Sequence, residues 1–123
     1  MATTSENKSG IRTFQATAAA IAYGSRVKVD SNGLISVAAA SEASIGTVSE
    51  TVAASSNGSV KLFGSPGTFI MLASGAITRG TQVYPAASGK IASTGTTALN
   101  LVCLEAASAD GDLIECAVGM KGA

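Results

Sequence analysis

Any chemistry in this chain must come from a short list of side chains. There are two cysteines, Cys103 and Cys116, and no histidine. Without histidine, the commonest general base and metal ligand is missing. A cysteine nucleophile needs a neighbour that lowers its pKa, and Glu115 beside Cys116 works in the opposite sense. Two isolated cysteines with no histidine partner do not make a zinc site. Both stand inside apolar, strand-like runs, as reduced and buried small hydrophobes do. A disulfide between neighbouring strands is geometrically open, and the spacing does not imply one.

The remaining candidates are weaker. Asp110 and Asp112 flank Gly111, but a calcium loop would continue with alternate oxygen ligands and a closing Glu. These two read as a solvated hairpin turn. A phosphate-cradling loop needs G-x-x-x-x-G-K-[ST], and Gly119-Met-Lys-Gly122 has Gly and Lys in the wrong arrangement. Arg26 and Lys28 form the densest basic pair. They read as a solvated strand face, with contact to an acidic neighbour subunit as the alternative. The expectation is no catalytic residue, no metal site, no cofactor and no small-molecule substrate.

The elements that would position such residues are those of a scaffold. The 8 basic residues balance the 8 acidic ones and are scattered, so no basic stripe marks a nucleic-acid binder. Charged residues make up 13% of the chain, about half the usual share. Ala, Gly, Ser and Thr supply 65 of the 123 residues. Such a surface is either coated in small hydroxyl residues or covered by neighbours. Few aromatics leave a core of Val, Ile, Leu and Ala, an argument for oligomerisation. No apolar run is long enough for a transmembrane helix, and the polar start at Met1–Gly10 lacks a signal-peptide core. The protein is therefore expected to stay in the compartment where it is made.

A degenerate duplication with a period of about 56 residues runs through the chain. Ile21-Ala-Tyr-Gly24-Ser-Arg-Val27, Asn32-Gly33-Leu-Ile35 and Ile45-Gly-Thr-Val48 form one copy. Ile77-Thr-Arg-Gly80-Thr-Gln-Val83, Ser88-Gly89-Lys-Ile91 and Leu101-Val-Cys-Leu104 form the other. Each unit is turn, strand, turn, strand. Asn32-Gly33 between β-prone runs is a hairpin signal, and Asn57-Gly58 repeats it. Thr68–Leu72 reads as a strand covered on both faces, and Leu99–Glu105 as the longest strand. Gln15–Ala22 stays open between a helical turn and extended chain.

About nine short strands with regular turn signals predict an all-β fold, a small β-barrel or sandwich closed jointly by the two copies. The expected organisation is an N-terminal arm over 1–14 and a single β domain over 15–123, with duplicated halves at about 21–64 and 77–119. Thr68–Leu72 and Leu99–Leu104 are the core candidates. The arm is polar and lacks periodicity, as segments that order on a partner do. Thr3, Thr4, Ser5, Lys8, Ile11, Arg12 and Phe14 are its candidate contacts. Residues 1–20 and 65–75 look unduplicated, and are where position alone places the binding function.

The order of these signals resembles the small head-decoration, or capsid cement, proteins of tailed bacteriophages. Members of that family were for a time labelled RecA/RadA-type phage recombinases. Gly24-Ser-Arg-Val27, Ile45-Gly-Thr-Val48, Ser59-Val-Lys-Leu-Phe63 and Gly75-Ala-Ile-Thr-Arg-Gly-Thr-Gln-Val-Tyr84 carry the likeness. Ser88-Gly-Lys-Ile91, Leu101–Ala107 and the closing strand Asp112–Val118 extend it over roughly 14–119. The closing strand lacks the Arg that the family has near its end. The resemblance implies a β-barrel-like subunit, homotrimeric, on the outer surface of a phage head assembled in the host cytoplasm. It would bridge copies of the major capsid protein, its partner, without contact to nucleic acid or membrane. A tail- or fibre-associated β-module is the alternative. A recombinase finds no support, since no P-loop is present.

Overall fold

The structure is a computed structural model and describes residues 9–119. Its strands are β1 (Ile11–Ala16), β2 (Arg26–Val29), β3 (Leu34–Val37), β4 (Gly46–Val48), β5 (Asn57–Leu62), β6 (Phe69–Leu72), β7 (Tyr84–Pro85), β8 (Ile91–Ala92), β9 (Leu101–Cys103) and β10 (Leu113–Val118). A short 3-10 turn at Ala87–Gly89 separates β7 from β8. Among the described residues there is no α-helix. Gln15–Ala22 resolves as the end of β1 followed by irregular chain.

Local sequence explains the first hairpin. Val27 and Ile35 point inward and are fully buried, while Val29 and Val37 reach solvent. Gly33 closes the turn at φ 79°, a conformation that costs a side chain about 1–2 kcal/mol. The Asp30 carboxylate accepts the amides of Asn32 and Leu34 at 2.8 and 3.0 Å, an Asx-type lock on that turn. The second Asn-Gly behaves differently. Asn57 and Gly58 lie inside β5, paired with Gln15 and Phe14 of β1. Gly58 is there because a Cβ would sit 2.3 Å from Val52.

β1 to β5 close into a barrel in the order β1-β3-β2-β4-β5. Its core is Ala16, Ile21, Val27, Ile35, Val48, Val52 and Val60. The second half repeats that order. β6-β10-β9 form one sheet and β7-β8 another. Single bridges at Ala73↔Ile91, parallel, and Gln82↔Val102, antiparallel, join them as β6-β8-β7-β9-β10. The parallel closure Ala16↔Ile35 of the first barrel is Ala73↔Ile91 in the second. Ile21↔Val52 likewise recurs as Ile77↔Ala107.

The expectation of one barrel shared by both copies is therefore corrected. Each copy encloses its own core, and Phe69, Met71, Val83, Ile91, Cys103, Ile114 and Cys116 belong to the second. The reason is length: with β1 and β6 included, each copy has five strands, enough to curl on itself. Within the stretches taken as unduplicated, β1 and β6 are thus duplicated, since β6 occupies in the second barrel the place of β1 in the first. The boundary at residue 14 is corrected for the same reason. Ile11 to Phe14 pair with β5, and Gln15 and Ala16 with both neighbours or their loops. Two further strands differ. Leu99–Glu105 shortens to Leu101–Cys103, and Leu104 is exposed. β6 alternates, with Phe69 and Met71 buried and Ile70 and Leu72 half-buried.

Candidate functional site

Among the described residues the buried polar side chains are Ser25, Arg26 and Thr47, and Arg26 lies at the seam between the barrels. Arg26 is its centre. It begins β2, is completely buried, and extends its guanidinium into the second barrel. Nη2 donates to the Ala86 carbonyl at 2.8 Å and Nε to the Lys90 carbonyl at 3.1 Å. Weaker bonds run to the Ala38 carbonyl and Ser44 Oγ, both at 3.4 Å. No carboxylate pairs with it among the described residues. Burial pushes its pKa below the ordinary arginine value, yet a guanidinium stays charged in proteins. Backbone carbonyls, aligned on its fork, replace the water it loses.

Backbone contacts complete the seam. Leu72 N donates to Gly24 O at 3.1 Å, and Gly89 N to Ala38 O at 2.8 Å. A Cβ on Gly24 would strike Leu113, and one on Gly89 would come within 2.8 Å of the Arg26 carbonyl. On the other side of the seam, Lys61 of β5 caps the Phe69 ring at 4.8 Å and donates to the Thr68 carbonyl at 2.6 Å. The Thr68 hydroxyl donates to Glu115 at 2.6 Å. An open groove of about 830 Å³ runs above the seam, lined by Ser44, Phe63, Pro85 and Leu99 among others.

The reading of Arg26 and Lys28 as one solvated face is half right. Lys28 is half-exposed and ion-paired with Glu42. That bond, with the Ala39 amide, holds the Glu42 carboxyl below its usual range. Arg26 is the seam residue that pattern reading misses. A signal exists in the duplication, where Arg26 faces an uncharged Gln82 at a position whose neighbours match.

The other candidates fall into place without assembling chemistry. Cys103 and Cys116 are opposite each other on β9 and β10, buried and unbridged. Burial first, then Cys103, Glu105 and Glu115, pushes the Cys116 thiol up to about 12, far from a reactive thiolate. Asp112 accepts from the Ser108 amide and hydroxyl and the Ala109 amide, which lower its pKa. It fixes its own turn. No metal-holding cluster occurs among the described residues.

Of the predicted contacts, Ile11 and Arg12 are exposed on β1. Arg12 lies over the Phe14 ring at 4.8 Å. Phe14 is half-buried and packs against the first core. Thr3, Thr4, Ser5 and Lys8 lie outside the described residues.

Two fused barrels joined through the buried Arg26 define a duplicated β-module. The chain belongs to the phage cement protein family, whose model matches residues 4–120. It is a structural protein of a phage particle. No curated protein matches the chain. Among solved structures it is similar to the head fiber gp8.5 N base of bacteriophage phi29, with a TM-score of 0.70 and 15% identity. That match covers 89% of this chain and 94% of the other. At such identity the likeness is one of fold.

Proposed function

We propose that this protein is a capsid decoration protein, bound to the outer surface of the phage head after assembly in the host cytoplasm. In this reading it is a homotrimer that stabilises the shell by bridging neighbouring copies of the major capsid protein. Family membership over residues 4–120 carries the reading. The low charge supports it, since charged residues make up 13% of the chain and are depleted at the core of protein interfaces. The protein acts by binding and not by catalysis, with no cofactor, nucleic acid or membrane involved. Residues Thr3, Thr4, Ser5, Lys8, Ile11, Arg12 and Phe14 are its proposed shell contacts.

The test is co-sedimentation of the purified protein with expanded heads lacking it. Saturable binding and a higher temperature of head disruption are expected. Binding no greater than that of an unrelated β-barrel control would end the proposal. The fold likeness to a head fiber base favours a second reading, a fibre-associated subunit. A cryo-EM map of the particle separates the two by placing density between capsomers or at the root of a fibre.

A further inference from the structure

The seam joins different surfaces of two equivalent barrels. The first barrel contributes its Gly24–Arg26 edge and Ala38. The second contributes Ala86, Gly89, Lys90 and Leu72. A contact made head to tail in this way leaves one of each surface unused. The unused edge lies on the second barrel, at Gly80, Thr81 and Gln82. The unused turn lies on the first, at Asp30, Gly33 and Leu34.

Matched positions differ in burial as a vacated interface would. Gly24, Ser25 and Arg26 are buried, whereas Gly80 and Gln82 are exposed and Thr81 is half-buried. Ala38 is buried, and Thr94, its counterpart, is exposed. Gly89 is buried, and Gly33 is exposed. The backbone is nonetheless preset. Gly24 and Gly80 share φ values of 85° and 86°, and Gly89 and Gly33 values of 72° and 79°. A Cβ at Gly24 or Gly89 meets the other barrel, whereas at Gly80 or Gly33 it meets nothing within 4 Å. Gln82 has two amide N–H donors where Arg26 uses its fork on carbonyls.

We infer that a second copy of this chain docks here, with the Asp30–Leu34 turn of its first barrel on the Gly80–Gln82 edge of the neighbour's second barrel. The contact repeats between chains the seam within the chain. Head-to-tail contacts close into rings or run on as filaments, and three copies closed in this way make a ring of six barrels. The inference rests on the self-association in the reading above, not on attachment to the head.

Two glycine substitutions test it. Asn tolerates the left-handed conformation, so Gly33→Asn and Gly80→Asn add a side chain into space that is open within one chain. Sedimentation velocity of the wild type should give an oligomer, and each variant alone a monomer with unchanged thermal unfolding. Mixing the two variants should give a dimer, because each retains the face that the other has lost. If Gly80→Asn does not fold, Thr94→Arg blocks the same face from an exposed position. A monomeric wild type, variants that keep the wild-type mass, or a mixture that stays monomeric would overturn the inference. Self-association that follows this pattern in a protein that ignores heads would leave the inference standing and remove the capsid reading.

Discussion

The Arg26 guanidinium, rooted in β2 of the first barrel, ends 2.8 Å from the Ala86 carbonyl of the second. A residue 60 positions earlier in the chain thus satisfies the turn that begins the second hairpin. Removing it leaves the Ala86 carbonyl without its donor and the Lys90 and Ala38 carbonyls with only the backbone amides of Ala86 and Gly89, at about 1–3 kcal/mol for a group left unsatisfied. Arg26→Met keeps much of the apolar stem and loses the fork. It should lower unfolding free energy by about 2–4 kcal/mol in urea. Arg26→Lys should recover less than half of that, because an ammonium cannot span several carbonyls at once. Full recovery by Lys would show that charge, not the fork, holds the seam.

The two barrels fill one core position by opposite choices. In the first, Val52 packs against Gly58, where a Cβ would come within 2.3 Å of it. In the second, the equivalent residues are the small Ala107 and the large Ile114, both buried. Gly58→Ala should therefore cost about 1–3 kcal/mol by overpacking. Adding Val52→Ala should return about 1 kcal/mol or more of it, a coupling typical of residues in contact. Strict additivity in the double-mutant cycle would show that the two side chains do not share this space.

Much of this fold is legible in the sequence, because β periodicity and turn residues are local signals. Val27 and Val83, Ile35 and Ile91, and the turns at Gly33 and Gly89 all recur as the pattern requires. What the sequence hides is closure. β7 and β8 are two residues each, and their barrel is completed by single bridges. Such pairings leave no periodicity to read. β1 and β6 hide in another way, since Arg12-Thr-Phe and Phe69-Ile-Met share position but not residue type. Arg26 is the clearest loss. A buried arginine in a β-strand looks like a solvated one until its acceptors, more than 50 residues away, are brought beside it.

Cys103 and Cys116 occupy the core positions that Val48 and Val60 fill in the first barrel. Hydrogen bonds from Leu104 to Glu115 and from Gly119 to Asn100 flank them. The pair therefore sits at a non-hydrogen-bonded site, where side chains are closest. Cys116→Val should cost less than about 1.5 kcal/mol, as a near volume-conserving swap. A pH effect should accompany it. The folded thiol keeps its proton up to about 12, while the unfolded thiol loses it from about 8.5. The native state then binds more protons in that window, and stability falls as pH rises through it. Denaturant unfolding from pH 8 to 11 should show a shallower decline in Cys116→Val than in the wild type. Parallel declines would place the titration elsewhere.

The proposed shell contacts need a deletion that spares β1. Removing residues 2–14 would take away Ile11 to Phe14, four of the six residues of β1, and their pairing with β5. The barrel would open, and lost binding would report only lost structure. Removing residues 2–8 deletes no residue of β1. Ile11 is 50% exposed, and Arg12 is exposed and held over Phe14, so both remain presented on the barrel wall. The short deletion should keep the thermal transition of the wild type and reduce occupancy on expanded heads. Adding Arg12→Ala should reduce it further, most clearly at low salt, where a surface charge acts over the longest distance. Full occupancy in the combined variant would place the head-binding surface elsewhere on the barrels.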